Sequence, residues 1–445
     1  MNRLKQFGKT KIVCTIGPAS QDVGKLTELI AAGMDVARLN FSHGSHDQHQ
    51  KVVQNVRDAA KKAGEAITIL QDLSGPKIRT GVVRDKAVTL HQGQDFVFTT
   101  EELLGDETRV STTYRALPDD VRVGDTILVD DGKIKMTVKS KNKTEVRCTV
   151  LNGGILSDKK GMNLPGVRVS AASMTEKDVE DLKFGLANDV DYVALSFVRS
   201  ADDIKRLREV IIQEGKKGVK VPIVAKIEKP EAVKNIDSII AESDVIMVAR
   251  GDLGVELPPE EVPLVQKVIV RKCNEAGVPV IIATQMLESM IEVEAVHTMD
   301  RIMQKAETVM KERLGGEEGG RGYDDMFGAV ARAAAVLATQ LKATAIVPIT
   351  HSGMTAMRLS KYRPSAPILA ITGREKILRR LNLVWGVRGM IIPDLNVDSD
   401  TAFKRIQEEL LKHKFVEKGD YVVFTAGIPL MSKGTTNTIK VERVE

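Results

Sequence analysis

The sequence lacks the marks of several common protein classes. Its 445 residues hold three cysteines, Cys14, Cys148 and Cys273, far apart and without a CxxC pair. That spacing excludes a disulfide framework and a zinc cluster, and it fits a reducing compartment. No run of about 18 apolar residues occurs, and the opening MNRLKQFGKTKIV lacks the apolar core of a signal peptide, so the expected location is the cytoplasm, away from membranes. Long blocks of one charge are missing too: the formal charge is only +5, with Lys and Arg alternating with Asp and Glu. Nucleic acid is a poor partner for such a surface, whereas small anionic substrates remain open. With 42% apolar and 28% charged residues the chain is neither disordered, collagen-like nor a coiled coil. What remains is a multidomain globular protein, for which about 100–200 residues per domain suggests three units.

The first seventy residues alternate β-branched runs (KIVCTI, DVARLNF, AITILQD) with helical patterns, including one from about His46 to Ala63. This is the βαβαβ rhythm of a parallel sheet. From Gly75 to about Gly166 strand follows strand, as in AVTLHQGQDFVFTT and DTILVDDGKIKMTV, which reads as an antiparallel insert. The βα alternation then resumes with DYVALSF, VPIVAKIE, DVIMVARG and VPVIIATQ. The predicted fold class is α/β: a (β/α)8-type barrel over residues 1–74 and 167–315, interrupted by an all-β lid over 75–166 and followed by a C-terminal α/β domain over 316–445. Only seven barrel strands can be counted, from Lys11–Ile16 to Pro279–Thr284, where closure needs eight.

Reactive side chains of parallel α/β domains gather at the C-terminal ends of the strands. In VAKIEKP, Lys226 and Glu228 stand two residues apart, which in a strand aims both at one face. The next strand runs into Arg250-Gly251-Asp252, so that Asp252 can approach Glu228 across neighbouring strand ends. Two oxygen donors without a thiol suit Mg²⁺ or Mn²⁺. The amides of Gly251 and Asp252 can face an incoming carboxylate or oxyanion. An isolated KxE pair would be read as a strand-end salt bridge; the neighbouring strands weaken that reading. In VARLNFSHG, Arg38, Asn40 and Ser42 share one face: Arg38 offers a forked clamp for a phosphoryl group, and Asn40 and Ser42 offer neutral oxygens to a cation, joined by Asp72. His43, His46 and His49 have ligand-like spacing, but Ser45 or Asp47 looks like a helix cap, and a solvated helix start is the better reading. Thr284 and Gln285 add a hydroxyl and an amide at the barrel mouth. Together these parts describe metal-assisted phosphoryl transfer, in which protein groups position and neutralise charge.

The strings TKIVCTIGPAS, MDVARLNFSHG, DLSGPKIRTG, NLPGV, AKIEKPEAV, DVIMVARGDLGVELP and IIATQMLESMIE, in this order over most of the chain, closely resemble the pyruvate kinase family. The resemblance implies phosphoenolpyruvate and ADP as substrates, pyruvate and ATP as products, and a homotetramer. It implies that Lys226 stabilises the transferring phosphoryl group, that Arg38 binds phosphate, and that Glu228 and Asp252 hold the divalent metal. It places Gly251, Asp252 and Thr284 at the substrate carboxylate, with Thr284 also on the route that protonates the enolate. Pro18, His43, Arg79 and Lys160 match nucleotide-contacting positions. Many members carry Thr and Glu where this chain has Leu73 and Lys77, and need K⁺ at a site matching Asn40, Ser42, Asp72 and Leu73. The K⁺-independent branch resembles this chain, with the Lys77 ammonium standing in for the ion, so K⁺ is not expected to be required.

In the third domain THSGMTAMRLSKY follows a strand and opens a helix, where Thr350, Ser352, Gly353 and Thr355 offer hydroxyls and amides to a phosphate or simply cap the helix. By resemblance this is the effector loop for a phosphorylated sugar or nucleotide, with a second loop around Gly434. The chain also departs from the family. After Glu292 it runs directly into VEAVHTMDRIMQKAE, so that roughly 30 residues, one βα unit, are missing, which agrees with the count of seven strands. A barrel short of one strand has two unpaired edges. Two alternatives stand beside an active pyruvate kinase: a sensor or decoy subunit with impaired catalysis, favoured by the missing unit, and a Mg-dependent carbon–carbon lyase acting on pyruvate enolates, since such lyases on related barrels also set Mg²⁺ between a Glu and an Asp near an arginine.

Overall fold

The computed structural model describes residues 8–445 except 168, 171, 216–219, 284–292, 314–325, 396–397, 429 and 431–435. Seven parallel strands form the first sheet: β1 (Ile12–Thr15), β2 (Met34–Asn40) and β3 (Thr68–Asp72) come before an insert. The insert supplies β4 (Ala87–Leu90), β5 (Asp95–Thr99), β6 (Arg109–Ser111), β7 (Thr126–Val129), β8 (Ile134–Lys141), β9 (Glu145–Asn152), β10 (Gly154–Ser157) and β11 (Met162–Asn163). The first sheet then resumes with β12 (Tyr192–Leu195), β13 (Ile223–Ile227), β14 (Val245–Ala249) and β15 (Val280–Ala283). Its order is β1-β2-β3-β12-β13-β14-β15, each strand beside its successor, which is the winding of a (β/α) barrel. As the sequence count anticipates, no eighth strand joins β15 to β1 among the described residues, and the sheet curls without closing.

Two-residue periodicity explains what each strand offers. In β13, Ile223, Ala225 and Ile227 pack outward against the helices, and Val224 faces the interior. Val36, Leu70, Ala194, Val224, Met247 and Ile281 form an apolar interior layer. Two residues further along each strand, at the carboxyl end, stand Arg38, Asp72, Ser196, Lys226, Ala249 and Ala283. One step along the barrel axis thus changes the filling from apolar to charged. The helix Val293–Arg313 packs on β1 and on the helix Val23–Ala31, outside the seam between β15 and β1.

The insert folds around its own core, including Phe96, Phe98, Leu117, Ile127 and Val146, under a six-stranded sheet β11-β7-β8-β9-β5-β6 and the pair β10-β4. Both connections to the barrel meet one buried carboxylate. Asp178 Oδ1 accepts from the Gly75 amide at 3.0 Å, and Oδ2 accepts from the Thr175 amide and hydroxyl at 2.8 and 2.6 Å. The insert also touches the barrel where Asn163 donates to Glu256 at 3.0 Å, a carboxylate it shares with Lys229.

The third unit carries β16 (Ala345–Pro348), β17 (Ile368–Thr372), β18 (Val387–Ile391), β19 (Tyr421–Ala426) and β20 (Thr438–Arg443), in the order β18-β17-β16-β19-β20 with β20 antiparallel. Its helix Glu375–Leu381 closes the amino-terminal end of the barrel. There Leu383 joins the interior apolar cluster, Tyr192 Oη donates to the Arg380 carbonyl at 2.9 Å, and Thr68 Oγ1 donates to the Arg379 carbonyl. Arg379 reaches the buried Asp191 at 2.8 Å and Asp189 at 2.6 Å, and Lys376 also pairs with Asp189. All three cysteines are free, and burial is the main force pushing each thiol up to about 12. They behave as core residues rather than as nucleophiles or metal ligands.

Burial alone would raise the Asp189 carboxyl, but Lys376 and Arg379 outweigh it and hold it below its usual 3.8. Its contribution is therefore complete above that value and disappears as pH falls through the lower, folded value. Thermal melts from pH 7 to pH 3 should show Asp189→Asn with a slightly lower midpoint at pH 7 and a shallower acid limb. Parallel curves for the two proteins would remove Asp189 from the interface energetics.

Candidate active site

The charged layer at the carboxyl end of the barrel is one connected cluster. Arg38 Nε and Nη2 both meet Asp72 Oδ2, at 2.7 and 2.6 Å, and Nη1 donates to Thr15 Oγ1 at 2.7 Å. The Lys226 ammonium lies 3.3 Å from Asp72 Oδ1 and 2.9 Å from Glu228 Oε1, and donates to Ser196 Oγ at 2.7 Å. Asp72, Glu228, Ser196 and Lys226 are buried. Burial by itself would lower the Lys226 ammonium, yet Asp72 and Glu228 outweigh it and keep the amine protonated. Glu228 is shifted upward, chiefly by burial and further by the Asp252 charge, with Lys226 pulling the other way. A second cation beside Glu228 and Asp252 would relieve this strain, and the donor set is all oxygen, so these two residues fit a hard divalent metal.

The remaining expected residues fall into groups. β14 ends at Ala249, and Arg250 already begins the helix Arg250–Glu256, so Gly251 and Asp252 stand in its first turn, where amides lack intrahelical acceptors. Asn40 and Asp72 are paired in register; Asn40 Oδ1 accepts from the Ser42 amide at 3.1 Å, and the Leu73 amide donates to Ala194 O at 3.0 Å. Lys77 lies not among these groups but against Gly161 of the insert: its Cε is 3.1 Å from where a Cβ on Gly161 would stand. Pro18, in the turn after β1, and His43 are exposed on the barrel. Arg79 and Lys160 belong to the insert, where Arg79 donates to Lys159 O at 3.1 Å and Lys160 pairs with Asp130 at 2.8 Å. Ser45 caps the helix His46–Ala63 with a full capping box; His46 pairs with Asp181 at 2.7 Å and His49 bonds to the His43 carbonyl at 2.8 Å. These histidines form no metal cluster among the described residues. Thr284, Gln285 and Gly434 lie outside the described residues. In the third unit Gly353 is the N-cap of Met354–Lys361 with φ 87°, its amide donating to Thr350 Oγ1 at 2.9 Å. Ser352 is exposed, and Thr355 shares a 2.7 Å hydroxyl contact with Thr436, next to the second loop.

Three residues of the site were not anticipated from the sequence. Ser196 binds the Lys226 ammonium. Phe197 sits at φ 55°, a left-handed conformation unusual for a bulky residue, and its amide donates to Glu228 Oε2 at 2.8 Å. Gly75, at φ 67°, leaves the space these two occupy: a Cβ there would lie 2.8 Å from Phe197 Cδ2 and 3.1 Å from Ser196 Cβ. The signal was the inward period of β12, in which Ser196 follows Ala194 by two.

A curled parallel barrel with a cation-and-carboxylate cluster at its carboxyl end defines a phosphotransferase of the barrel type. The family model described as pyruvate kinase, barrel domain, matches residues 7–312, and that of the pyruvate kinase alpha/beta domain matches residues 328–442. A pyruvate kinase from Geobacillus stearothermophilus is 43% identical over 97% of this chain and 80% of its own length. One from Sporosarcina psychrophila is 41% identical over the same shares. The crystal structure of a pyruvate kinase from Cryptosporidium parvum superimposes with a TM-score of 0.92 at 34% identity, covering 100% of this chain and 98% of that one. The chain belongs to the pyruvate kinase family. Alignment with the Geobacillus protein runs over 471 positions against 445 residues here, so at least 26 positions of that relative have no counterpart in this chain.

Gly75→Ala tests how the site is held. The left-handed backbone alone costs about 1–2 kcal/mol, and the new methyl group presses on the two residues that hold Lys226 and Glu228. The expected outcome is kcat for pyruvate formation reduced roughly 10–100-fold in a protein that still folds, as judged by circular dichroism. An unchanged kcat would separate Gly75 from the site.

Proposed function

We propose that this chain transfers the phosphoryl group of phosphoenolpyruvate to ADP at the Lys226 cluster, releasing pyruvate and ATP. The observation that carries this reading is the buried Lys226 ammonium, kept protonated between Asp72 and Glu228 beside the Arg38 guanidinium. Two fixed cations in a water-poor site offset the charge of a phosphoryl group in flight, the main demand of this chemistry. Glu228 and Asp252 would hold Mg²⁺ or Mn²⁺, which when bound neutralises phosphate charge. The first-turn amides of Gly251 and Asp252, with Thr284, receive the substrate carboxylate, and Thr284 assists protonation of the enolate. Pro18 and His43 on the barrel and Arg79 and Lys160 on the insert meet the nucleotide when the insert closes and excludes water. A catalytically impaired sensor is the second reading, favoured by the open seam between β15 and β1.

A coupled assay with phosphoenolpyruvate, ADP and Mg²⁺ should show turnover that Lys226→Met lowers by at least about 10²–10³-fold. Thermal melts run alongside guard against simple unfolding, since the two carboxylates lose their partner. Folded wild-type protein without turnover would establish the sensor reading; pyruvate made from a larger acid without ADP would establish a lyase.

Lys77 takes the place of K⁺ when the insert closes, so omission of K⁺ should leave the rate unchanged; a strong K⁺ requirement at saturating substrates would contradict this. Thr350, Ser352, Gly353, Thr355 and Gly434 bind a phosphorylated sugar or nucleotide. Fructose 1,6-bisphosphate, ribose 5-phosphate or AMP should accordingly lower the half-saturating phosphoenolpyruvate concentration, and no response to any of them would leave these loops without an effector role. The homotetramer implied by the family is read from the molar mass in solution.

A further inference from the structure

The seam between β15 and β1 is a cleft of about 800 Å³, within the size range of small-molecule sites. It runs from Pro18, Arg38 and Lys226 at the carboxyl end of the barrel to Arg363, Leu383 and Trp385 at the other end. Its sides are apolar: Val13 from β1, Ile281 from β15, Val296 from the covering helix. Four methionines, Met247, Met299, Met303 and Met357, also line it. Thioethers adapt their shape to a guest and make favourable contacts with aromatic rings.

The end away from the Lys226 cluster has a distinct chemistry. The Arg363 guanidinium lies 4.4 Å from the centroid of Trp385 and donates from Nη2 to Asn274 Oδ1 at 2.9 Å. Its backbone is held at φ 46°, rare for a long side chain, which fixes where the guanidinium enters the cleft. Burial pulls this guanidinium down to about 10, only partly offset by Glu307, whose carboxylate already accepts from the amides of Lys9 at 3.0 Å and Thr10 at 2.7 Å. Arg363 is thus a half-buried fork set on a flat indole, and among the described residues Asn274 is the one side chain to which its guanidinium donates.

We propose that the seam is a binding site for a fused-ring aromatic carboxylate, its rings among the methionines and Trp385 and its carboxylate on the Arg363 fork. A planar guanidinium matches a carboxylate with two parallel hydrogen bonds, and the Trp385 ring under it, which also carries the Lys9 ammonium 5.0 Å from its centroid, offers its edge to a flat ring. The single negative charge offsets a half-buried cation, and the rings replace water against apolar walls. Because the cleft reaches Arg38 and Lys226, a molecule that fills it also approaches the phosphoenolpyruvate site.

Trp385 is the only tryptophan of the 445 residues, so its fluorescence reports occupancy directly. Titration of the full chain with 2-naphthoate should change Trp385 emission saturably, while 2-naphthylmethanol, which lacks the charge, and acetate, which lacks the rings, should bind at least 10-fold more weakly. Arg363→Met should weaken 2-naphthoate at least 10-fold with the melting temperature little changed. Met299→Trp, which fills the cleft, should abolish binding; competition against a fixed amount of labelled 2-naphthoate reads this variant without relying on its added indole. No saturable change with wild type, equal affinity for the neutral alcohol, or undiminished binding by either variant would each overturn the proposal.

Discussion

The Lys226 ammonium lies buried between Asp72 and Glu228, and much of the barrel's upper half is arranged around that contact. Removing one amine and two carboxylates from water costs several kcal/mol per ion, repaid only by close geometry and further hydrogen bonds. The surroundings supply both: Arg38 saturates one oxygen of Asp72, Ser196 accepts from Lys226, and the Phe197 amide donates to Glu228. Each of these helpers carries a local cost of its own. Phe197 takes a left-handed backbone and Gly75 must lack a side chain, so the cluster draws conformational strain from the neighbouring loops. Such strain persists only where surrounding structure over-determines it, which here is the layer of apolar residues one step below.

The same period-two pattern made most of this legible in the sequence. Alternation in β2, β3 and β13 fixes that Arg38, Asp72 and Lys226 face one interior, and the strand count anticipated the open sheet. Ser196 was within reach of the same period, two residues after Ala194, whereas local spacing could not reveal Phe197 or Gly75. Their roles arise from contacts between β12 and the start of the insert, segments about 120 residues apart, for example Gly75 and Ser196. A strained φ at Phe197 has no sequence mark, because the residue type itself disfavours it. Lys77 shows another limit: the resemblance gives its ammonium the role of K⁺ near Asn40, Ser42, Asp72 and Leu73, whereas the structure sets the side chain against Gly161. The helix start near Ser45 was legible as a cap with Ser45 and Asp47 both open; the structure chooses Ser45, whose capping box spans four consecutive residues.

The third unit compensates in part for the open sheet. A closed barrel plugs its amino-terminal end with its own side chains; here Leu383 enters from outside, and the helix before it hydrogen-bonds to strand ends through Thr68 and Tyr192. Asp191 ties the same face together, accepting from the Ile69 amide, Arg57 and Arg379. Rigidity at this end holds the register of β3 and β12, and register is what keeps Asp72 and Ser196 level with Lys226. The docking surface of the third unit is therefore joined to the Lys226 cluster through two adjacent strands.

The missing strand falls on the side of the sheet where the charged layer has least to lose. Arg38, Asp72, Ser196 and Lys226 come from β2, β3, β12 and β13, four consecutive strands with neighbours on both sides. Beside the seam, β14 and β15 contribute only Ala249 and Ala283 to that layer, and β1 contributes Thr15, which accepts from Arg38 Nη1. Hydrogen bonds on both edges hold this half of the cluster whether or not the sheet closes. By contrast Gly251 and Asp252 follow β14, and Thr284 follows β15, whose far edge has no partner among the described residues. An unpaired edge strand has half the ladder of an interior one, so β15 is held less firmly than β13. The physical consequence of the shortened barrel is thus uneven: the strand ends beside the seam lose support ahead of the buried Lys226 cluster.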